Sequence, residues 1–333
     1  KRSICLDLKK PAGADAVRRL VKTADVFVSN VRPSALTRAG LDWDTLHALN
    51  PRLIYCGIVA FGEGGRYYNQ PAYDPIVQSL SGIAGTFERA HGKPIFVPMV
   101  MSDHVTGLIA AQCIGFALYR REKTGVGETI EVPMLENMAS FVMSEHMGGE
   151  TFIPAAGPTG DNRLVSPDYR PQSTKDGYIT ISPNTDAQAF SFFDAIGRPE
   201  LKTDPRFDSP ASRTAHAHDY FEVRAKGLAQ RTTDEWMKLF AELDIPAARY
   251  NTIDDLFDDP HLNDVNFFRE VDHPSEGRIR TTKIPNTFGG GGRDRELTAP
   301  LKGQHTNEVL IEAGYNKNEI ENMLSEGSAL EGD

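Results

Sequence analysis

Between residues 4 and 59 the chain alternates short apolar runs with amphipathic stretches, and this alternation limits the possible folds more than any other feature. Residues 4–8, 26–29 and 53–59 read as strands. Residues 11–23 carry Pro near their start and Val17, Leu20 and Val21 on one face, while 42–49 place Trp43, Leu46 and Leu49 at helical spacing. Strands apolar on both faces and separated by helices predict a parallel sheet covered by helices, an α/β fold. Such sheets bind ligands at loops beyond the carboxyl ends of their strands. Here those loops are Asn30-Val31-Arg32-Pro33 and Phe61-Gly62-Glu63-Gly64-Gly65.

The pattern continues with a long helix over 104–121, with Leu108, Ala111, Ile114 and Leu118 on one face and Ser102 or Asp103 where an N-cap belongs. A turn at 124–127, a strand at 129–132 and a Met-rich helix at 135–147 follow. Pro, Gly and polar residues over 154–171 predict a linker. Beyond it, strands at 178–182, 268–271 and 278–284 and helices at 187–196 and 234–243 describe a second, α+β domain. Gly289–Gly292 reads as a further linker, before helices at 304–313 and 318–324. With 333 residues, about two domains are expected. We assign 1–165 to a large domain, 172–285 to a small one, and 295–333 to helices returning to the large domain.

Composition narrows the function classes. Counting 36 Lys+Arg against 46 Asp+Glu gives a net charge of −10, a poor field for generic duplex DNA, so no nucleic-acid partner is expected. The longest apolar stretch, 107–119, contains Gln112 and is shorter than the roughly 20 residues that span a bilayer. Residues 1–10 lack the apolar core of a signal peptide. Cys5, Cys56 and Cys113 form no C-x-x-C and sit in apolar contexts, which predicts buried, reduced thiols and a cytoplasmic protein.

Several motifs fail on their context. The glycines after residue 61 do not open into a helix, since Tyr67-Tyr68-Asn69-Gln70-Pro71 follows, so a dinucleotide fingerprint is rejected. Gly289–Gly292 lacks the Lys-Ser/Thr of a P-loop. His216 and His218, two residues apart, do not converge on one ion, and no metal is expected. No G-x-S-x-G elbow supports a hydrolase triad. Two features are more informative. Residues 1–10 hold Lys1, Arg2, Lys9 and Lys10 against Asp7, and Arg32 and Arg38 follow the second strand, so basic groups at the sheet edge could hold a phosphorylated ligand; on charge alone, ordinary surface lysines are the favoured reading. Asp103, before a helix, reads as a cap, yet a helix N-terminus also favours the anion needed of a carboxylate nucleophile.

Taken together, a series of stretches resembles the family III CoA-transferases, which include formyl-CoA:oxalate and carnitine CoA-transferases, with alpha-methylacyl-CoA racemase as a relative. These stretches are K-R-S-I-C-L-D-L-K at 1–9, A-D-V-F-V-S-N-V-R-P at 24–33, N-P-R-L-I-Y-C at 50–56, P-A-Y-D-P-I-V-Q-S-L-S-G at 71–82, S-D-H-V-T-G at 102–107 and T-G-V-G-E-T-I-E-V-P-M at 124–134. Later come D-G-Y-I at 176–179, I-G-R-P-E-L at 196–201, D-P-R-F at 204–207 and A-P-L-K-G-Q-H-T-N-E-V-L at 299–310. The resemblance implies a Rossmann-like large domain beside the smaller α+β domain, an interlocked homodimer, and acyl-CoA and a carboxylic acid as substrates with no permanently bound cofactor. It implies that Asp103 attacks the thioester, that Leu6, Lys9, Asn30, Val31, Arg38 and Ala39 contact CoA, and that Tyr73 and Asp74 neighbour the active site. Backbone amides near 82–85 are candidate oxyanion donors.

The departures are as specific. A racemase of this family has His-Asp where this chain has Tyr73-Asp74, and a tyrosine with a reference pKa of about 10 is a poor acid–base substitute. Acyl-CoA racemase, isomerase or lyase chemistry is therefore the alternative, with a non-catalytic CoA-binding protein as a third reading. The tetraglycine loop of formyl-CoA transferase falls near 166–170, where this chain has S-P-D-Y-R. The family's first β-α-β unit has no counterpart before Lys1, so residues 1–10 are expected to form an interior strand, and the chain to be N-terminally truncated.

Overall fold

A computed structural model describes residues 1–287, 289 and 298–332. The strands and helices run in the order β1 (Cys5–Leu6), α1 (Pro11–Val21), β2 (Val26–Ser29), α2 (Pro33–Ala39), α3 (Trp43–Leu49), β3 (Ile54–Val59), α4 (Asp74–Leu80), α5 (Ile83–His91), α6 (Met101–Thr124), β4 (Thr129–Pro133) and α7 (Met134–His146). Next come β5 (Gln172–Ser173), β6 (Tyr178–Ile181), α8 (Asp186–Ala195), α9 (Pro210–Ala215), α10 (Ala217–Leu228), α11 (Thr233–Glu242), β7 (Ala247–Arg249), α12 (Pro260–Asp264), β8 (Phe268–His273) and β9 (Gly277–Thr282). The C-terminal stretch adds α13 (Thr306–Glu312), α14 (Lys317–Ser325) and β10 (Ala329–Leu330). The Gly289–Gly292 linker lies, apart from Gly289, outside the described residues.

Two compact units result. The first comprises Lys1–Ala84, Phe96–Ser144 and the C-terminal residues from 298; the second comprises Gly85–Ile95 and the residues from Glu145 up to Gly289. In the first unit β2, β3 and β4 form a parallel sheet in the order β2-β3-β4, with Val26 opposite Ile54 and Tyr55 opposite Thr129. The mixed α/β architecture with a parallel sheet is as expected. One strand is not. β1 leaves that sheet and pairs antiparallel with β10, Cys5 opposite Leu330, so residues 1–10 are not an interior strand of the parallel sheet. The reason is packing: Leu6 and Ala16 of the N-terminal stretch share a core with Leu310, Tyr315, Ile320 and Met323, residues about 300 positions away.

The helix α6 overruns its expected bounds and turns a different face inward. Its buried residues are Ser102, Thr106, Ala110, Ala117 and Arg121, while Leu108 is 73% exposed and Phe116 and Tyr119 also face outward. Small side chains allow the helix to lie close to the sheet, where Ala110 packs with Cys56 and Val132. Its far end is tethered by Arg121, which pairs with Asp25 at 2.9 Å and donates to the Arg52 carbonyl at 3.2 Å, both just ahead of strands. After Gly125 ends the helix in left-handed geometry (φ 77°), Gly127 brings β4 against β3, for a Cβ there would sit 2.0 Å from the Leu53 carbonyl oxygen.

The second unit contains the antiparallel sheet β5-β6-β7 and the hairpin β8-β9. Its core is aromatic: Phe192, Phe193, Phe207, Trp236 and Phe240 are fully buried around Ile179 and Ile181, and Trp236 Nε1 donates to the Leu228 carbonyl at 2.7 Å. The alternation of buried Ile179 and Ile181 with Tyr178 and Thr180 is the period of two expected of a strand with one face covered. Of the cysteines only Cys56 is buried, and Cys5 and Cys113 are half-buried; all three are free. Burial pushes the Cys56 thiol up to about 11, which makes it inert rather than nucleophilic.

Candidate active site

Within the first unit a cavity of about 490 Å³ opens at the carboxyl ends of β2 and β3, where a parallel sheet is expected to bind its ligand. Asn30 and Arg32 line it from the loop after β2, Ile58 and Val59 from the end of β3, Tyr68, Gln70 and Tyr73 from the segment before α4, and Asp103 and Thr106 from the first turns of α6. The glycine loop after β3 is held in place by carboxylates of β4 and α7. Gly62 N–H donates to Glu136 and Glu63 N–H to Glu131, each at 2.9 Å. A Cβ on Gly62 would sit 2.9 Å from the Glu136 oxygen, so the glycine permits this close approach.

Asp103 is not the cap of α6. The N-cap position is Val100, which has no side-chain acceptor, and Asp103 falls in the first turn with its side chain exposed. The cap comes from another helix. Asp74, 5% exposed at the start of α4, accepts the Ser102 N–H at 2.7 Å and the Asp103 N–H at 3.4 Å through one oxygen. Its other oxygen accepts the Gln78 amide at 2.8 Å. Gln78, one helical turn on, donates to the Met99 carbonyl at 3.1 Å and accepts the Val97 N–H at 2.9 Å, and so fixes the segment entering α6. The burial of Asp74 is thus offset by charge-assisted bonds. Asp103 receives no hydrogen bond on its carboxylate among the described residues, and the positive end of a 24-residue helix lies behind it.

Of the expected site residues, the cavity brings together Asn30, Tyr73 and Asp103, with Asp74 buried directly behind. Tyr73 is 81% exposed, its ring free at the rim. The other expected contacts do not line this cavity. Leu6 lies on β1, and Lys9 is exposed with its N–H on Asp7 at 3.0 Å. Val31 is exposed, with its N–H on the Ser29 hydroxyl at 3.1 Å. Arg38 and Ala39 form the end of α2, where the Ala39 carbonyl accepts Arg18 at 3.1 Å. Gly82 lies in the turn between α4 and α5, residues 83–85 form the first turn of α5, and none of them lines this cavity. Gln78, Gln70 and Thr106 went unrecognised in the sequence. The Asp74/Gln78 spacing of four, one face of a helix, was the available signal. His216 and His218 belong to the second unit: His216 precedes α10, and His218 pairs with Asp168 at 2.9 Å.

Fold and site together define an α/β protein whose ligand cavity, at the carboxyl ends of parallel strands, holds a carboxylate unpartnered among the described residues and a guanidinium. The profile of CoA-transferase family III matches residues 1–306, and the chain belongs to that family. It is a CoA-transferase. Among curated relatives, the succinyl-CoA:glutarate CoA-transferase of Mus musculus is 28% identical over 331 residues, covering 98% of this chain and 75% of that protein. The formyl-CoA:oxalate CoA-transferase of Bradyrhizobium sp. is 28% identical and covers 98% of this chain and 82% of its own length. Among solved structures, a CAIB/BAIF family protein from Brucella suis aligns with a TM-score of 0.74 at 28% identity, over 94% of this chain and 82% of that one.

Proposed function

We propose that the chain transfers coenzyme A from an acyl-CoA to a free carboxylic acid, with the Asp103 carboxylate as covalent nucleophile. The observation that carries this reading is Asp103 itself: an exposed carboxylate in a ligand cavity, free of hydrogen bonds to its oxygens among the described residues, beside a helix start already capped by Asp74. A carboxylate tied up in capping would be a poor nucleophile; this one is available.

The chemistry balances in four transfers. An Asp103 oxygen attacks the thioester carbonyl, the C–S bond breaks, and a mixed anhydride and the CoA thiolate form. The thiolate attacks the aspartyl carbonyl of the anhydride, releasing the donor acid and leaving an aspartyl-CoA thioester. The acceptor carboxylate then attacks that thioester, forming a second anhydride and freeing the thiolate again. Attack of the thiolate on the acceptor's carbonyl yields the new acyl-CoA and restores Asp103. Arg32, in the same cavity and without a carboxylate partner among the described residues, suits the anionic groups of either substrate.

In this reading the first unit holds CoA, with Asn30 in the cavity wall, Val31 next to it in the chain, and Arg38 and Ala39 on the helix that begins at the cavity-lining Pro33. The assignments of Leu6 and Lys9 rest on family resemblance alone. A homodimer is part of the proposal, supported by the outward-facing Leu108, Phe116 and Tyr119 of α6, an apolar face that a monomer leaves in water. No helix among the described residues is long and apolar enough to cross a membrane.

The test is to trap the thioester. The protein is incubated with a panel of acyl-CoA donors that includes succinyl-CoA and formyl-CoA, then treated with hydroxylamine and digested. A hydroxamate on the peptide containing Asp103, formed only when donor is present, is the expected result. Transfer activity without modification at Asp103 would overturn the assignment.

A further inference from the structure

We propose that the second unit carries a binding pocket for a small oxyanion, phosphate or carboxylate, built on Arg224 and lined by none of the residues of the transfer cavity. The pocket, of about 220 Å³, is lined by Arg163, Arg213 and Arg224 together with Asn184, Thr214 and Tyr220, and no Asp or Glu lines it. At about 30 Å³ per water, that is room for roughly seven waters, enough for a phosphate or a short carboxylate. Two of the arginines have acidic partners outside the lining. Arg213, 4% exposed on α9, pairs with Asp186 at 2.7 Å and donates to the Phe207 carbonyl at 2.8 Å. Arg163, half-exposed at the rim, has Asp161 at 3.9 Å.

Arg224 has no carboxylate partner among the described residues. It is 9% exposed on α10, and one Nη donates to the Ile181 carbonyl at 2.5 Å. Its guanidinium lies 5.0 Å from the Phe221 ring and 5.7 Å from the Tyr220 ring. Its Nε is buried without any hydrogen-bond partner. A guanidinium does not give up its proton in proteins, and an unpaired buried charge is costly. Burial accordingly disfavours the charged form of Arg224, and only the weak pull of Tyr220 and Tyr169 opposes it. A carbonyl and two ring faces balance that charge in part. An oxyanion in the adjoining cavity would complete the balance, and the planar guanidinium fork suits phosphate and carboxylate alike. Ala217, Tyr220 and Arg224 recur on one face of α10, so the helix presents the site as a rigid unit.

The experiment is calorimetric titration of the full chain with inorganic phosphate and, separately, with malonate. Arg32→Ala serves as the background, so that anion binding in the transfer cavity does not contribute. One saturable site per chain is expected for at least one of the two anions; the one that binds identifies the ligand as phosphate or carboxylate in kind. Arg163→Ala, at the exposed rim and tolerant of folding, is expected to weaken binding about tenfold, the loss of one charged contact. Arg224→Lys is expected to weaken it further. Absence of saturable binding for both anions would overturn the proposal. So would affinity unchanged by Arg163→Ala, or an Arg224→Lys protein that folds with lower stability yet binds as before, since a purely structural arginine would behave that way.

Discussion

In the first turn of α11 the third residue is Glu235, and its carboxylate accepts the Thr232 N–H at 2.9 Å while the Thr232 hydroxyl accepts the Glu235 N–H at 3.3 Å. In the first turn of α6 the third residue is Asp103, its carboxylate reaches back to nothing among the described residues, and Val100 at the cap has no side-chain acceptor for the Asp103 N–H. Both helices also take a carboxylate from upstream in the chain: Asp176 accepts the Thr233 N–H at 2.8 Å, and Asp74 accepts the Ser102 N–H at 2.7 Å. At α11 the distant acid supplements a reciprocal local cap. At α6 it replaces one. The same backbone position is therefore occupied with holding the helix in the second unit and does no such work in the first.

That contrast is broken most directly at Asp103. Asp103→Asn is expected to lower transfer by about 10³-fold or more, as loss of a covalent nucleophile should, with the urea midpoint unchanged because the side chain caps nothing. Retained activity would refute the nucleophile; a large fall in the urea midpoint would mean that Asp103 supports the helix after all. Asp74→Ala should do the reverse in stability. It leaves the buried Ser102 N–H without its acceptor and removes one partner of Gln78, at a cost of about 2–3 kcal/mol by chemical denaturation. If Asp74→Ala proves no less stable than Asp103→Asn, the division of roles between the two carboxylates fails.

How far the sequence foretold these roles depends on how far apart the partners lie. Pro11, the Val26–Ser29 run and the apolar stretch ending at Val59 marked their own elements, since periodicity is a local property. Asp103 was legible as an acid at a helix start. That it caps nothing was not, because the acceptor, Asp74, lies 29 residues upstream and meets it only once α4 and α6 pack. β1 was misplaced for the same reason: nothing within residues 1–10 signals a partner at Ala329 and Leu330. The α6 face was misread because hydrophobicity alone favoured Leu108, while close packing selected Thr106 and Ala110. Arg224 carried no local signal at all; that no carboxylate pairs with it among the described residues emerges only from the packing of α10 with its neighbours.

The smallest expected effect tests the α11 side of the contrast. The Thr232 N–H, ahead of every other contribution, holds the Glu235 carboxyl below the ordinary glutamate range. A depressed folded-state value means that the ionised form stabilises the fold above the unfolded value of about 4.3, and that this stabilisation disappears as pH falls through the lower folded-state value. Glu235→Gln keeps a neutral acceptor for the same N–H, so it removes the charge and little else. Wild type is therefore expected to melt slightly above Glu235→Gln at about pH 7, with the gap closing as the pH is lowered below the unfolded value of about 4.3. Paired thermal melts across that range provide the measurement. A gap that stays constant with pH would mean that the charge of Glu235 contributes nothing at the cap, and that the carboxylates of α6 and α11 differ only in what surrounds them.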